Sequence, residues 1–468
     1  MTELLSRASA NGHRPKQELD RVKPRLGARV VVVGCGHVGL IMAAGLAKLG
    51  HQVIGIDRNA ALIDQLSHGL ISLHEPGLSD LVEEGLANGR LSFTTAFADG
   101  IPNAEFVFLA VDTPRTLAGA ADLRNLRAAV RSIAASLNGV SPIIVNKSTS
   151  PIGTGETIEG IFRSSVREGV REPRIVSNPE FLRQGRAVAD FFNPDRIVVG
   201  ARSKDDAHAV AGLYAELDAP LVLTDLRTAE MIKYVANSFL ATRVSFINEI
   251  ARLSEALGVD IDEVLTGVSH DARIGNIYLQ PGIGFGGTCL PKDVAALRFV
   301  GESLGVATPI LSGVEAVNAA QRTSVVRRLR ARLGTLEGRR IAVWGLTFKA
   351  HTEDVRESPA VDVVRLLLNE GAEVRAYDPG ALPDALTDLP ITRCPSAVSA
   401  LEGADALAVL TEWPEFAHMA PADIRAAMRG DVVFDGRNVL DRGLIEAEGL
   451  SYIGVGRSHR VHNRRRGD

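Results

Sequence analysis

Cysteine is scarce in this chain: Cys35, Cys289 and Cys394 are the three present among 468 residues. An odd number at distant positions argues against a disulfide framework and points to a reducing cytosol. No apolar run is long enough to span a bilayer. Residues 1–25 are polar and basic without an apolar stretch, so the N-terminus does not read as a secretory signal. An excess of one charge is missing too. Lys and Arg total 52 against 56 Asp and Glu, which gives no global attraction to nucleic acid or to a membrane surface. What remains is an ordinary soluble composition, 46% hydrophobic and 23% charged. The length favours two or three domains over one core. Residues 1–27 are expected to form a disordered tail, and 457–468, with Arg457, Arg460, Arg464, Arg465 and Arg466, a solvated basic one.

The first organised stretch is 29–33, apolar after Arg29 and followed by glycine, as in a buried parallel strand. Gly34-Cys35-Gly36-His37-Val38-Gly39 comes next, then an Ala/Leu-rich helical stretch closed by Gly50, then a strand over 52–56 ending at Asp57. Strand, Gly-x-Gly-x-x-Gly, helix, strand and acid in register form a dinucleotide fingerprint. The glycines permit a tight turn and the approach of a pyrophosphate to the helix N-terminus, and an acid about 20 residues on meets a ribose hydroxyl. Asp57 would repel a 2′-phosphate, so NAD is expected over NADP.

Strands at 106–111 and 142–146 lead into Thr113 and Thr149. Ligands of open α/β sheets bind at carboxyl strand ends, so each threonine is either a helix cap or a ligand contact. Strands at 174–177 and 196–200 enclose Asn178-Pro179-Glu180-Phe181-Leu182-Arg183-Gln184-Gly185, more polar than a connector requires. Residues 226–257 turn helical, with Ile232, Val235, Phe239, Phe246, Ile250 and Leu253 mostly at three- and four-residue steps. A helix this long bridges domains or supports a dimer. Lys233 and Asn237 share one face of it, although base rates favour a solvated lysine.

Cys289 lies in Gly284-Phe285-Gly286-Gly287-Thr288-Cys289-Leu290-Pro291-Lys292-Asp293. Pro291 suits the start of a helix and Asp293 its first turn. A thiol just outside a helix N-terminus gains nucleophilicity; an inert buried thiol is the plainer alternative. The glycines would leave room for a substrate to approach the backbone. A second α/β unit opens at 340–345. Its loop holds Lys349, Glu353, Asp354, Arg356 and Glu357, and its last strand ends in Asp435-Gly436-Arg437-Asn438. It lacks the glycine fingerprint, and basic groups at strand ends suit a phosphate-bearing substrate.

Together the 34–39 turn, Lys147-Ser148-Thr149, the 178–185 loop, Lys233 with Asn237, Arg273-Ile274-Gly275-Asn276 and the 284–293 turn resemble the UDP-glucose/GDP-mannose dehydrogenase family. Phe348-Lys349, Arg356-Glu357-Ser358-Pro359, Asp378-Pro379 and 435–438 extend the match, which is nearest to members acting on UDP-glucose and runs in the family's order from 28 to 440. The resemblance implies an α/β protein of two Rossmann-like, doubly wound domains joined by a long central helix and a helical dimerisation domain. The parts would be an NAD-binding one at 28–225, a helical one at 226–322 and a UDP-sugar-binding one at 323–456. It implies NAD as cofactor, no metal, a homodimer through the central helix, and UDP-glucose oxidised by four electrons to UDP-glucuronate.

Carried over residue by residue, the catalytic set falls on Cys289, Lys233, Asn237, Asp293, Glu180 and Thr149. Cofactor contacts fall on Gly34, Gly36, His37, Val38, Gly39, Asp57, Arg58, Thr113, Thr149, Gln184, Lys292 and Arg356. Substrate contacts fall on Glu180, Phe181, Leu182, Arg183, Lys233, Asn237, Arg273, Tyr278, Leu279, Gly282, Gly286, Lys349 and Arg437, with Arg273 reaching the neighbouring subunit. Three features depart from the family pattern. Gln184 replaces a second acid, Asp112 a glycine, and 115–121 lacks an acidic turn. A GDP-mannose enzyme is the nearest alternative. Enzymes of UDP-N-acetylhexosamines come next, since they typically carry His where Thr288 stands, and a non-catalytic NAD-binding module is the remaining one.

Overall fold

Alternate residues of the first strand enter different cores, as a two-residue period demands of a strand covered on both faces. Val30 and Val32 of β1 (Arg29–Val33) pack with Leu40, Leu46 and Phe108. Val31 and Val33 pack with Ile56, Val130 and Phe162 on the other side. The computed structural model describes residues 22–457 except 74, 117, 140, 167–168 and 382–384. Residues 1–21 and 458–468, most of the two expected tails, lie outside the described residues. Within the described part of the first, the Arg25 N–H donates to the Gly212 carbonyl at 3.0 Å and its guanidinium pairs with Glu105.

The chain divides into two compact units, one of residues up to Thr116 with Ala121–Lys233, the other of Leu117–Ala120 with Tyr234 onward. The first holds β1, β2 (Gln52–Ile56), β3 (Leu91–Thr94), β4 (Phe106–Leu109), β5 (Ile143–Asn146), β6 (Arg174–Ser177), β7 (Ile197–Ala201) and β8 (Leu221–Thr224). Their order is β3-β2-β1-β4-β5-β6-β7-β8. The pairs are parallel except β6 with β7. The reversal between β2-β1 and β4 is the switch point at which doubly wound sheets bind ligands.

The second unit holds β9 (Arg340–Trp344), β10 (Glu373–Tyr377), β11 (Thr392–Arg393), β12 (Ala406–Val409), β13 (Val432–Asp435) and β14 (Ser451–Gly454). Their order, β11-β10-β9-β12-β13-β14, repeats the first six positions of the other sheet. Ile341 and Val343 face one core and Ala342 and Trp344 the other. The helical middle shares the first of these cores, since Ile247, Ala251, Leu279, Ile283 and Leu329 belong to the cluster that contains Ile341 and Phe434.

The long helix is one element, Leu226–Leu257, of 32 residues. Its faces depart from ordinary amphipathicity, with polar residues among the buried ones and large apolar residues outside. Lys233, Asn237, Ser245, Asn248 and Ser254 are buried, whereas Val235, Phe239, Phe246 and Leu253, four of the periodic apolar residues, are exposed. Among the described residues no helix is long and apolar enough to cross a membrane.

Candidate active site

The fingerprint turn of the first unit is built for a close approach. Gly34 has φ +97°, and a Cβ there would meet the Ala110 carbonyl; one at Gly39 would strike the carbonyl of Gly34 itself. The helix that follows, His37–Lys48, has no side-chain cap and no acid in its first turn, so its first N–H groups suit an anion. Asp57 closes β2, accepting from the N–H of Cys35 and of Asn59, each at 2.9 Å. This cradle fits the pyrophosphate and ribose of NAD. Val38 is half-buried and Arg58 exposed. Burial, then the charge of Asp57, pushes the Cys35 thiol up to about 12, so it is inert.

Glu75 belongs to this cradle, and sequence reasoning passed over it. Its carboxylate pairs with His37 Nε2 at 2.8 Å and accepts from the N–H of Gly185 at 2.8 Å and of Ala187 at 2.5 Å. It ties the fingerprint helix to the end of the 178–185 loop, one residue past Gln184. Burial pushes its pKa up, but the His37 contact and the two N–H donors outweigh that and hold it below the usual range. No local pattern marks such a residue, because its partners lie far along the chain.

At the ends of β5 and β6 the polar groups converge. Thr113 donates to the Thr149 carbonyl at 2.5 Å. Glu180 accepts from Lys233 Nζ at 2.9 Å and from the Leu182 N–H at 2.6 Å. Lys233 is 4% exposed and Glu180 7%, so the solvated lysine of the base rates is not what the fold contains. Burial pushes Glu180 up, yet the Lys233 ammonium, the Leu182 N–H and nearby Lys147 leave its pKa lowered. Phe181 carries the Arg196 guanidinium over its ring, 3.5 Å from the centre. Arg183 forks onto Asp190 through two bonds of 2.8 and 2.6 Å. One turn before Lys233, Glu230 accepts from the N–H groups of Gly153 at 2.6 Å and Gly155 at 2.8 Å, at the start of the helix Thr154–Ser165. Sequence reasoning passed over this contact as well.

In the second unit, Cys289 is the N-cap residue of the helix Leu290–Ser303, and its thiol is exposed. Asp293 follows one turn later, 1% exposed. One of its oxygens accepts from Asn237 Nδ2 at 2.6 Å and the other from Lys292 Nζ at 2.7 Å. The glycines before Cys289 meet this chain's own atoms where open room for a substrate was expected. A Cβ at Gly284 would meet the Asn318 amide, at Gly286 the Glu357 carbonyl and Pro359, and at Gly287 the Phe348 ring. Their smallness lets the turn lie against those segments.

The remaining expected contacts of this unit fall into two groups. Arg437 donates to the carbonyls of Leu410 at 2.9 Å and Phe348 at 3.2 Å, and a Cβ on Gly282 would approach its guanidinium at 3.4 Å. Lys349 Nζ lies 5.6 Å from the centre of the Phe348 ring. Leu279 is buried beside Tyr278, which holds a left-handed φ of 58°. Arg273 and Arg356, by contrast, form local ion pairs with Asp271 at 2.6 Å and Asp354 at 2.7 Å. Among the described residues no cluster of His, Cys, Asp and Glu could hold a metal ion.

Comparison with known proteins matches three consecutive domains of the UDP-glucose/GDP-mannose dehydrogenase family: the NAD binding domain over residues 28–218, the central domain over 227–320 and the UDP binding domain over 342–442. A UDP-glucose 6-dehydrogenase of Bacillus subtilis is 40% identical over 431 residues, covering 92% of this chain and 93% of its own length. One from Pseudomonas aeruginosa is 39% identical over 447 residues, covering 93% and 98%. The solved UDP-glucose dehydrogenase of Pyrobaculum islandicum superposes with a TM-score of 0.86 at 38% identity, covering 92% of this chain and 98% of that one.

Proposed function

This chain belongs to the UDP-glucose/GDP-mannose dehydrogenase family, with its NAD binding, central and UDP binding domains in order, and we propose that it oxidises UDP-glucose to UDP-glucuronate. Like the family, it is an NAD-dependent oxidoreductase. The parts at 28–225, 226–322 and 323–456 would hold NAD, the dimer contact and the UDP-sugar. The observation that carries the reading is Cys289 exposed one helical turn before a buried Asp293 that grips Asn237.

The 34–39 cradle would hold NAD, and two NAD molecules used in turn would each remove one hydride, one per oxidation. Every other task falls to side chains. A carboxylate, Asp293 or Glu180, would take the proton of the C6 hydroxyl, directly or through a water near Thr149. The Cys289 thiolate adds to the aldehyde carbon, giving a thiohemiacetal and, after the second oxidation, a thioester. Water cleaves the thioester, releasing the acid and restoring the thiol. Covalent capture divides one hard oxidation into easier steps and retains the aldehyde. Lys233 and Asn237, four residues apart on the long helix, donate to the oxygen on which charge develops.

The outward apolar stripe on that helix supports a homodimer through it, and the scarcity of cysteine supports a cytosolic location. Incubating the protein and NAD with UDP-glucose, GDP-mannose or a UDP-N-acetylhexosamine and following NADH absorbance tests the substrate. UDP-glucose should react fastest and yield two NADH per sugar; preference for another sugar, or one NADH per sugar, overturns the reading. Cys289→Ser should stop acid formation, and full turnover to the acid by that variant would exclude the covalent step.

A further inference from the structure

We propose that Lys147, which has no part in the chemistry above, is a positioning residue that holds the turn of Asn178 and Pro179 and sets the electrostatic balance of the Glu180–Lys233 pair. The strands explain its place. Asn146 of β5 pairs with Ser177 of β6, so Lys147 and Asn178 leave neighbouring strands at the same level. Lys147 Nζ donates to Asn178 Oδ1 at 3.1 Å and approaches the Pro179 carbonyl at 3.5 Å. It also lies 5.7 Å from the centre of the Tyr214 ring, within cation–π range. The Tyr214 hydroxyl donates to the same Asn178 Oδ1 at 2.7 Å, and Asn178 Nδ2 donates to the Val198 carbonyl at 2.7 Å. The turn that delivers Glu180 is thus held by a lysine, a tyrosine and a strand carbonyl.

Charge gives the second half of the argument. Lys147, Glu180 and Lys233 are all buried, at 7%, 7% and 4% exposure. Two ammoniums and one carboxylate leave one positive charge in excess where burial of charge is costly. Lys233 has the carboxylate, while the hydrogen bonds of Lys147 go to neutral oxygens. Lys147 is therefore the group that releases its proton. Burial lowers its pKa to about 7, with Glu180 opposing and Lys233 adding to the shift. The other charges at this place are Arg196 over Phe181, which senses Asp195 and Glu180, and the ion-paired Arg183 and Asp190. Tyr214 stays neutral, since burial pushes its hydroxyl up. Below neutrality the Lys147 cation helps keep Glu180 ionised, and above it the Glu180–Lys233 pair is left balanced.

The kinetic test rests on the oxidative reading; the stability test does not. Lys147→Met keeps the length of the side chain, and Asn178 Oδ1 keeps its tyrosine donor. The acid limb of kcat/KM should move up by about one pH unit, because the lost cation no longer depresses the Glu180 carboxyl. Lys147→Arg should restore it. A limb that stays in place while kcat falls equally at every pH would reduce Lys147 to packing and overturn the proposal. Between pH 7 and about 10 the wild-type protein should gain thermal stability, since the unfolded lysine holds a proton that the folded one has released. Lys147→Met should lack that gain, and a slope equal to wild type overturns the proposal whatever the substrate. A wild-type protein inactive on every sugar nucleotide would instead refute the oxidative reading and leave the stability comparison to judge Lys147.

Discussion

Asp57 and Asp378 follow the second strands of two sheets that share a strand order, and their carboxylates are engaged differently. Asp57 accepts two backbone N–H groups at 2.9 Å and is half-buried. Asp378 accepts from the N–H of Leu346, Thr347, Gly380 and Ala381, the Thr347 hydroxyl and the Trp413 indole, at 2.6 to 3.3 Å. A carboxylate has about four lone-pair sites, so Asp378 is saturated by its own loop. The second sheet thereby keeps the scaffold of a dinucleotide site while its acid serves the fold, and Asp57 retains capacity for a ribose.

Asp57→Ala should raise the KM for NAD about tenfold, as loss of one charged hydrogen bond of roughly 1.5 kcal/mol implies. The preference for NAD over NADP should narrow as well, because the repulsion of a 2′-phosphate disappears. Steady-state kinetics with both cofactors reads the two effects. An unchanged cofactor ratio would remove Asp57 from the ribose site.

Glu75→Gln should weaken the cradle from behind. A glutamine has one acceptor oxygen where the carboxylate has two, so the N–H of Gly185 or Ala187 is left without its bond, at a cost of about 1–3 kcal/mol. A lower melting temperature and a several-fold higher KM for NAD are expected, with the sugar nucleotide KM nearly unchanged. Equal rises in both KM values would place Glu75 in general stability and not in the cofactor site.

If the proposed homodimer forms through the long helix, Phe239→Glu combined with Phe246→Glu should convert it to monomers in sedimentation. With Val235 and Leu253 these residues follow one another at steps of four and seven along the long helix and are exposed, and a charge in an apolar contact is costly. Monodisperse dimers of the double variant would move the interface elsewhere.

The first dinucleotide unit was legible because its signals are local: a run of valines, glycines at fixed spacing, a helix and an acid in register. The length of the long helix was legible for the same reason, from its periodicity. Which way its faces point was not. Phe239 and Phe246 look like core residues by spacing, yet they are exposed, while Lys233 and Asn248 are buried because Glu180 and the Gly282 N–H supply their hydrogen bonds. Glu75, Glu230 and the role of Lys147 escaped for a related reason. Each acts on a loop at least 31 residues away, and spacing along the chain carries no trace of such a contact. The candidate set around Cys289 came from resemblance, since a lone cysteine on a glycine turn does not by itself distinguish a nucleophile from an inert thiol.

Glu230 should give the stability of this protein an unusual pH dependence. Burial raises its pKa from 4.5 to about 7, more than the Gly153 and Gly155 N–H groups lower it. A raised carboxyl pKa means that the folded state binds the proton more tightly, so this contribution is complete below pH 4.5 and is lost as pH rises to 7. The loss is up to about 3 kcal/mol from the size of the shift. Glu75 and Glu180, whose pKa values are lowered, act with the opposite sign and in another window, costing stability only as pH falls below about 4.5. Lys147, lowered to about 7, returns stability above neutrality. Thermal unfolding followed from pH 4.5 to 10 should therefore pass through a shallow minimum near pH 7. Glu230→Gln should flatten the acid side of that minimum while leaving the alkaline side in place. A wild-type curve that rises steadily from pH 4.5 to 7 would mean that the two backbone donors prevail over burial and keep Glu230 ionised throughout.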